Sequence, residues 1–380
     1  MDFRLSKEQM DLQKAFSAFC AVELAPAAAD VDERQSFPEA NWKKLAEKGF
    51  FGLMVPERYG GKGADLVTGL VALEEVSAAC ASTAMAAGTS AWCAGKALEL
   101  YGTDAVKGKY LAALAKGDAV GAFATTEAGA GSDVSAVATT AKKSGAGYVV
   151  SGGKSYVTNA SRADFIIVLA AMEGGSAKPE LSLLLVPKDA PGLSVEAPFR
   201  TMGLRGAPAS RIKISEVEVP AENLLGKEGE GLLAAMDIID YTRLSVSATA
   251  LGIARAAFLL AKSHAENRVA FGKPIGLYQD VAFRIADMYL ESDVIRQLMY
   301  HAAWQKQQGM KCADMVAAAK VSAAEVAISN AGRAMTILAG KGCLQGEAAE
   351  RLYRDAKLTE IAGGTAEILR QIIARELLKA

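Results

Sequence analysis

Residues 119–226 carry one strand-like run after another and no long helical pattern, and that stretch constrains the fold more than any other part of the chain. Tyr148-Val-Val-Ser-Gly-Gly-Lys-Ser-Tyr-Val157, Phe165-Ile-Ile-Val-Leu-Ala, Leu181-Ser-Leu-Leu-Leu-Val186 and Ile212-Lys-Ile-Ser-Glu-Val-Glu-Val219 are β-branched, alternating or apolar, with Gly/Pro turns between them. Parallel neighbours are usually joined by a helical crossover. A stretch without helices therefore predicts an antiparallel sheet, closed as a small barrel or folded as a sandwich.

On both sides the periodicity is helical. In residues 1–118, Ser6-Lys-Glu-Gln9 has the spacing of a capping box, and Leu5, Leu12, Phe16 and Phe19 recur at helical intervals. Pro38-Glu-Ala-Asn-Trp42 opens a second helix, and Val55-Pro-Glu-Arg-Tyr-Gly-Gly-Lys-Gly63 is a loop. Two Ala-rich helices follow, and Thr103-Asp104 starts another. The uncharged run Val76–Gly95 is long enough for a membrane span, but its Ala, Ser, Thr and Gly content reads as a helix in a tightly packed interior. In residues 227–380, helical patterns run over Leu232–Asn267, Asp280–Gln308, Ala313–Leu338, Glu347–Lys357 and Thr365–Lys379. Long helices with short links predict an antiparallel bundle. The expected fold is α+β and multi-domain: helices over 1–118, a β domain over 119–226, and a helical bundle over 227–380.

Charge is balanced, 42 basic against 43 acidic residues, which argues against a nucleic-acid binder. Cys20, Cys80, Cys93, Cys312 and Cys343 lie far apart and read as reduced thiols. With only His264 and His301 besides, no metal site is expected. The polar start Met1-Asp-Phe-Arg-Leu reads as a folded domain, not a signal peptide, and a cytoplasmic protein without membrane insertion is expected.

Five short segments carry chemistry. Phe123-Ala-Thr-Thr-Glu-Ala-Gly-Ala-Gly-Ser-Asp133 is a turn of small residues whose free N–H groups suit anionic oxygens, with hydroxyls at Thr125, Thr126 and Ser132. Gly152-Gly-Lys-Ser-Tyr-Val-Thr-Asn159 sets an aromatic face at Tyr156 and a hydroxyl at Thr158 on one side of a strand. A planar heterocycle would pack on the first and bond the second, although an ordinary buried Tyr in a hairpin has the same pattern. Asn267-Arg-Val-Ala-Phe-Gly-Lys-Pro-Ile275, with Gln279, offers the Arg268 guanidinium to a pyrophosphate, or is simply a charged helix end with a Gly-Pro stop. Ala339-Gly-Lys-Gly342 and Ile361-Ala-Gly-Gly-Thr-Ala-Glu-Ile-Leu-Arg370 are glycine loops, the second opening the last helix with its positive dipole end.

Taken together, these segments resemble the acyl-CoA dehydrogenase family, flavoproteins that remove two hydrogens from acyl-CoA thioesters, over essentially the whole chain. The resemblance implies FAD as cofactor, contacted by Phe123, Thr125, Thr126, Gly131, Ser132, Tyr156, Thr158, Arg268, Phe271, Gln279, Thr336, Gly340, Thr365 and Glu367. It gives the acyl-CoA to Ser132, Asp240, Arg243 and Gly363. It also implies that Arg268 and Phe271 reach the flavin of a neighbouring subunit in a homotetramer, and that electrons leave to an electron-transfer flavoprotein. The chain departs from the family pattern at Ala128 (usually Pro), Tyr156 (often Trp), Thr336 (usually Gln) and Ala339 (usually Gly).

The largest departure is the base. In the family it most often stands as Glu before Gly-Thr in the last segment, where this chain has Gly363; in some relatives it stands just before an Arg on the long bundle helix, where this chain has Thr242. Neither residue can take an α-proton. Asp240 is one residue, about 100°, away from Thr242 on the helix, and Cys93 reads as a buried inert thiol. The catalytic residue is therefore unassigned. Three readings stay open: desaturation of a branched, cyclic or aryl-bearing acyl-CoA by a displaced base; a non-oxidative lyase resembling 3-sulfinopropionyl-CoA desulfinases, against which stands Met85 at the position of their Arg; or a flavin-binding subunit inactive without a partner chain.

Overall fold

The computed structural model describes residues 4–174 and 180–378. The first residues, Met1–Phe3, and the final Lys379 of the last expected helix lie outside them. Helix α1 (Lys7–Glu23) begins with the expected capping box: Gln9 N donates to Ser6 Oγ at 3.2 Å and Ser6 N to Gln9 Oε1 at 2.9 Å. Then come α2 (Ala28–Arg34), α3 (Glu39–Glu47) and α4 (Leu66–Ala79), the last capped by Asp65, which accepts from Thr68 N at 2.7 Å.

The Val76–Gly95 run is buried almost throughout but is not one helix. Cys80 is extended (φ −155°, ψ 98°), and the chain restarts as α5 (Ala81–Gly88), widens into a π-helical turn over Thr89–Ala94, and narrows again in α6 (Gly95–Tyr101). Such a turn displaces one residue from the regular ladder and is frequent at functional sites. Short α7 (Asp104–Val106) and α8 (Ala112–Lys116) lead to the sheet.

The sheet is mixed, which corrects the antiparallel expectation. Its strands are β1 (Gly121–Ala124), β2 (Thr140–Ser144), β3 (Gly147–Thr158), β4 (Phe165–Met172), β5 (Leu181–Pro187), β6 (Leu193–Val195), β7 (Ala209–Pro220) and β8 (Leu224–Leu225). Their order is β6-β7-β3-β2-β4-β5-β8, with β1 also on β4. Both β1 and β2 pair with β4 in parallel, Gly121 opposite Phe165 and Thr140 opposite Ala171. They lie end to end along β4, so they are one strand course interrupted by the loop 125–139. The β2–β3 hairpin makes the return without a helix, a route that spacing alone does not reveal. Strands β4 and β5 are buried on both faces: Phe165, Ile167 and Leu169 join the helical core, while Ile166, Val168 and Ala170 fill the sheet's own interior.

The C-terminal half is the expected bundle: α9 (Gly231–Asn267), a small hairpin β9 (Val269–Ala270) and β10 (Lys273–Pro274), then α10 (Gln279–Gln307), α11 (Ala313–Leu338), α12 (Ala348–Ile361) and α13 (Ala366–Leu378). Among the described residues α9 alone is long and apolar enough to cross a membrane, and most of that stretch is buried inside the bundle. Small residues let α4 and α9 approach closely: a Cβ on Gly252 would lie 2.4 Å from Ser77 Cβ. Buried carboxylates of Glu74 and Glu75 pair with Arg296 and Arg255, binding α4 to α10 and α9.

Candidate active site

The loop 125–139 takes its shape from one buried ion pair. Glu127 accepts from Lys154 Nζ at 2.7 Å, Ala138 N at 2.7 Å and Thr139 N at 3.0 Å; Lys154 also donates to Thr125 O at 3.2 Å. Burial would push the Glu127 carboxyl up, but these bonds together hold it below the usual range. Ser155 N donates to Thr126 O at 2.9 Å, which draws β3 against the loop. Thr125 and Thr126 are half-buried, Phe123 likewise, while Gly131 and Ser132 are exposed. A Cβ on Gly129 would meet nothing within 4 Å, and one on Gly131 only Thr126 Cγ2 at 3.9 Å, so the small residues face open space.

Tyr156 sits within an irregularity of β3 between Lys154 and Val157, with φ 57°, so the strand is not the plain alternation the sequence suggests, although Val157 is buried between it and the half-buried Thr158. Its ring is 64% exposed; one neighbour, Phe199, stacks on it at 4.9 Å, and Arg211 lies over Phe199.

The π-helical turn joins these elements to the bundle. On the sheet side, Gly121 N donates to Ser90 Oγ at 2.9 Å, and in the preceding α5 Ala86 O accepts from Asn159 Nδ2 at 2.9 Å. On the bundle side, Thr242 Oγ1 lies 3.1 Å from both Cys93 Sγ and Ile238 O. Burial pushes the Cys93 thiol up to about 11, against the opposing Thr242 bond, so it is no base near neutral pH.

One residue on, Arg243 is 6% exposed and fixes two groups together. Its Nη1 donates to Asp240 Oδ1 at 3.0 Å and its Nε to Gly363 O at 3.1 Å. Asp240 also takes Lys306 Nζ at 3.1 Å, and Lys306 reaches Asp237 at 2.7 Å. Asp240 thus faces α10 while Thr242 faces the π-helical turn, and its carboxylate is engaged by two cations. The two places where a base was sought, Thr242 and Gly363, flank the same arginine, and neither carries a carboxylate. Gly363 and Gly364 have φ of 73° and 110°; Thr365 is half-buried and Glu367 exposed in the first turn of α13.

The remaining candidates collect elsewhere. Arg268 is exposed at the far end of α9 and forms no ion pair among the described residues. Phe271 is 96% exposed with φ 50°, and Gln279 is exposed at the start of α10. Thr336 is exposed, with its hydroxyl donating back to Gly332 O at 3.0 Å, and Gly340 is open to solvent. Arg268 and Lys341 both act on His264, which burial and their charges hold below its usual range, so these segments share one end of the bundle. Arg243 and Arg268 are 25 positions apart on one helix, roughly 37 Å.

Three family models cover nearly the whole chain: acyl-CoA dehydrogenase N-terminal domain over 6–118, middle domain over 122–217 and C-terminal domain over 229–378. The chain belongs to the acyl-CoA dehydrogenase family. It is similar to a probable acyl-CoA dehydrogenase, YngJ, of Bacillus subtilis (strain 168), with 40% identity over 380 residues and 100% of each chain covered. Among solved structures, it resembles butyryl-CoA dehydrogenase of Megasphaera elsdenii with TM-score 0.96 and 33% identity over 100% of each chain. A chain solved in work on the electron transferring flavoprotein of Acidaminococcus fermentans and flavin-based electron bifurcation matches with TM-score 0.97 and 35% identity, again over 100% of each.

The residues of this acyl-CoA dehydrogenase family member fit a flavin. Tyr156 offers a largely exposed aromatic ring, Thr125, Thr126 and Thr158 offer hydroxyls beside it, and the glycine loop has no chain of its own to pack against. Sequence reasoning missed Lys154, Phe199 and Lys320. A single Lys in the apolar helical run Val316-Ala-Ala-Ala-Lys-Val-Ser-Ala-Ala was the available signal for Lys320; Phe199, in a Pro/Gly-rich loop, left none.

Proposed function

We propose that the protein is an FAD-dependent acyl-CoA dehydrogenase for a branched, cyclic or aryl-bearing acyl-CoA, with the α-proton taken by a group other than residues 242 and 363. The observation that carries this reading is the pairing of Gly363 with Arg243. A Cβ at Gly363 would meet Arg243 Cγ at 3.5 Å, an ordinary contact, so a side chain could start here and glycine leaves its room unfilled. That room suits a substituent on the acyl chain.

FAD, when bound, supplies the acceptor for the β-hydride. Tyr156, Thr158 and the 125–132 loop are the residues that would hold it, through an exposed aromatic ring, hydroxyls and free N–H groups. Arg243 is held rigidly by Asp240 and Gly363 O, so it can orient the thioester without moving. The buried Val76–Gly95 segment closes the floor and excludes water.

The proposed homotetramer is supported by the separation of the candidate residues into two groups. Arg268 stands roughly 37 Å along α9 from Arg243, and with Phe271, Gln279, Thr336 and Gly340 it could serve a neighbour's flavin. Exposed Leu277, Phe283, Tyr289 and Leu290 around the start of α10 offer an apolar surface for that contact. An electron-transfer flavoprotein is the proposed electron acceptor, and the cytoplasm the proposed location.

The lack of a carboxylate at both positions also favours a second reading, non-oxidative chemistry or an inert subunit. Anaerobic mixing of the FAD-loaded protein with candidate acyl-CoAs decides. Bleaching of the flavin band supports the dehydrogenase; product without bleaching indicates a lyase; neither, in fully loaded protein, indicates an inert subunit.

A further inference from the structure

The loop between α12 and α13 is gripped from two sides. Arg243, on α9, donates to Gly363 O at 3.1 Å. Lys320, on α11, donates to the very next carbonyl, Gly364 O, at 2.8 Å, and to Glu360 O at 2.7 Å. Successive carbonyls are therefore drawn toward different helices, which fits the positive φ at both glycines. Glu360 O belongs to the last turn of α12, a carbonyl with no partner inside its own helix. One side chain thus satisfies the end of one helix and the entry to the next.

Lys320 is unusual in this interior. It is 1% exposed and pairs with no carboxylate among the described residues. The charged groups facing it are Arg243 from α9, Glu360 from α12 and Glu367 from α13. An ion pair would be the ordinary way to bury an ammonium. Two backbone carbonyls stand in its place, one in the last turn of α12 and one on the Gly363–Gly364 loop.

We propose that Lys320 is a positioning residue that, opposite Arg243, sets the orientation of the Gly363–Gly364 peptides and so the shape of the acyl pocket wall. Burial and Arg243 push its ammonium down to about 7. A neutral amine keeps two N–H groups, equal to the two carbonyls it serves, so the grip survives loss of the proton. The grip concerns the loop itself and does not require any particular reaction.

Amide hydrogen exchange tests this without substrate, so its failure is separate from a failure of the dehydrogenase reading. In the FAD-loaded protein, Lys320→Met removes all donors at nearly constant volume. Exchange at residues 362–366 should rise at least about tenfold while β4 and β5 stay protected. Lys320→Gln keeps an N–H₂ on a shorter arm and should fall between Met and wild type. Unchanged loop exchange in the Met variant would overturn the proposal. So would an equal rise across α9, α11 and the loop, or a Gln variant no better than Met, since either marks a general packing role. If the Met variant does not fold, the Gln variant still decides: a rise confined to 362–366 supports the grip, and a rise spread equally over α9, α11 and the loop rejects it.

Discussion

Placing a carboxylate at position 363 is the sharpest test of how this site is built. The backbone there has φ 73°, a left-handed conformation that costs an L-residue about 1–2 kcal/mol. Replacing Gly also restricts the unfolded chain, which offsets roughly 0.4–1 kcal/mol. The new Cβ would meet Arg243 Cγ at 3.5 Å, an ordinary contact, so no steric term is added. Gly363→Glu should therefore cost at most about 1.6 kcal/mol and leave a folded protein. Beside the Arg243 guanidinium the added carboxyl is held ionised at neutral pH. If the loop faces the acyl α-carbon, a positioned base is worth roughly 10²–10⁴-fold. Gly363→Ala carries the same backbone strain without the base and is the control. Stopped-flow bleaching of bound FAD by a straight-chain acyl-CoA, under anaerobic conditions, measures the difference. If the Glu variant retains FAD and fold yet reduces its flavin no faster than the Ala variant, Gly363 does not face the α-carbon and the placement is wrong.

Three further outcomes are expected. Arg268→Ala should weaken FAD retention by about tenfold or more, since a charge-assisted phosphate contact is worth roughly 1.5–3 kcal/mol; fluorescence of flavin released on dilution reads this, and unaltered retention would remove Arg268 from the site. Ala339 adopts φ 52°, ψ −133°, a conformation suited to glycine; Ala339→Gly should stabilise the protein by about 1 kcal/mol in denaturant unfolding, and a loss of stability would contradict that strain. Finally, the lowered Lys320 means that the unfolded chain binds the extra proton between about pH 7 and its ordinary range near 10.4. The penalty for burying the charge is full below pH 7 and fades as pH rises through that window, so the Lys320 contribution to stability should increase with pH there. A wild-type minus Lys320→Met difference that stays flat would rule this out.

Much of the fold was readable from local pattern. The capping box at Ser6, the long α9 and the end of α11 at Leu338 depend on side-chain periodicity and caps, which act within a few residues. The break at Cys80 was not readable. Nothing in an Ala-rich run forbids a continuous helix, and the extended residue there follows from how α4 and α5 pack against the rest of the core. The parallel pairing of β1 and β2 on β4 escaped for a related reason: strand patterns report which residues are buried, not which strand lies alongside.

The site divides in the same way. The sequence by itself determined which segments can approach a flavin, because glycines, hydroxyls and an aromatic at fixed spacing express their chemistry locally. It also determined that no carboxylate stands at either position where one was sought. Only the tertiary structure decided that Thr242, Arg243 and Gly363 meet at one place, that Asp240 is engaged by Lys306, and that Lys320 holds the loop 40 residues further along the chain. Those contacts are made between helices by long side chains whose direction is set by packing, and packing is a property of the assembled core rather than of any single stretch of sequence.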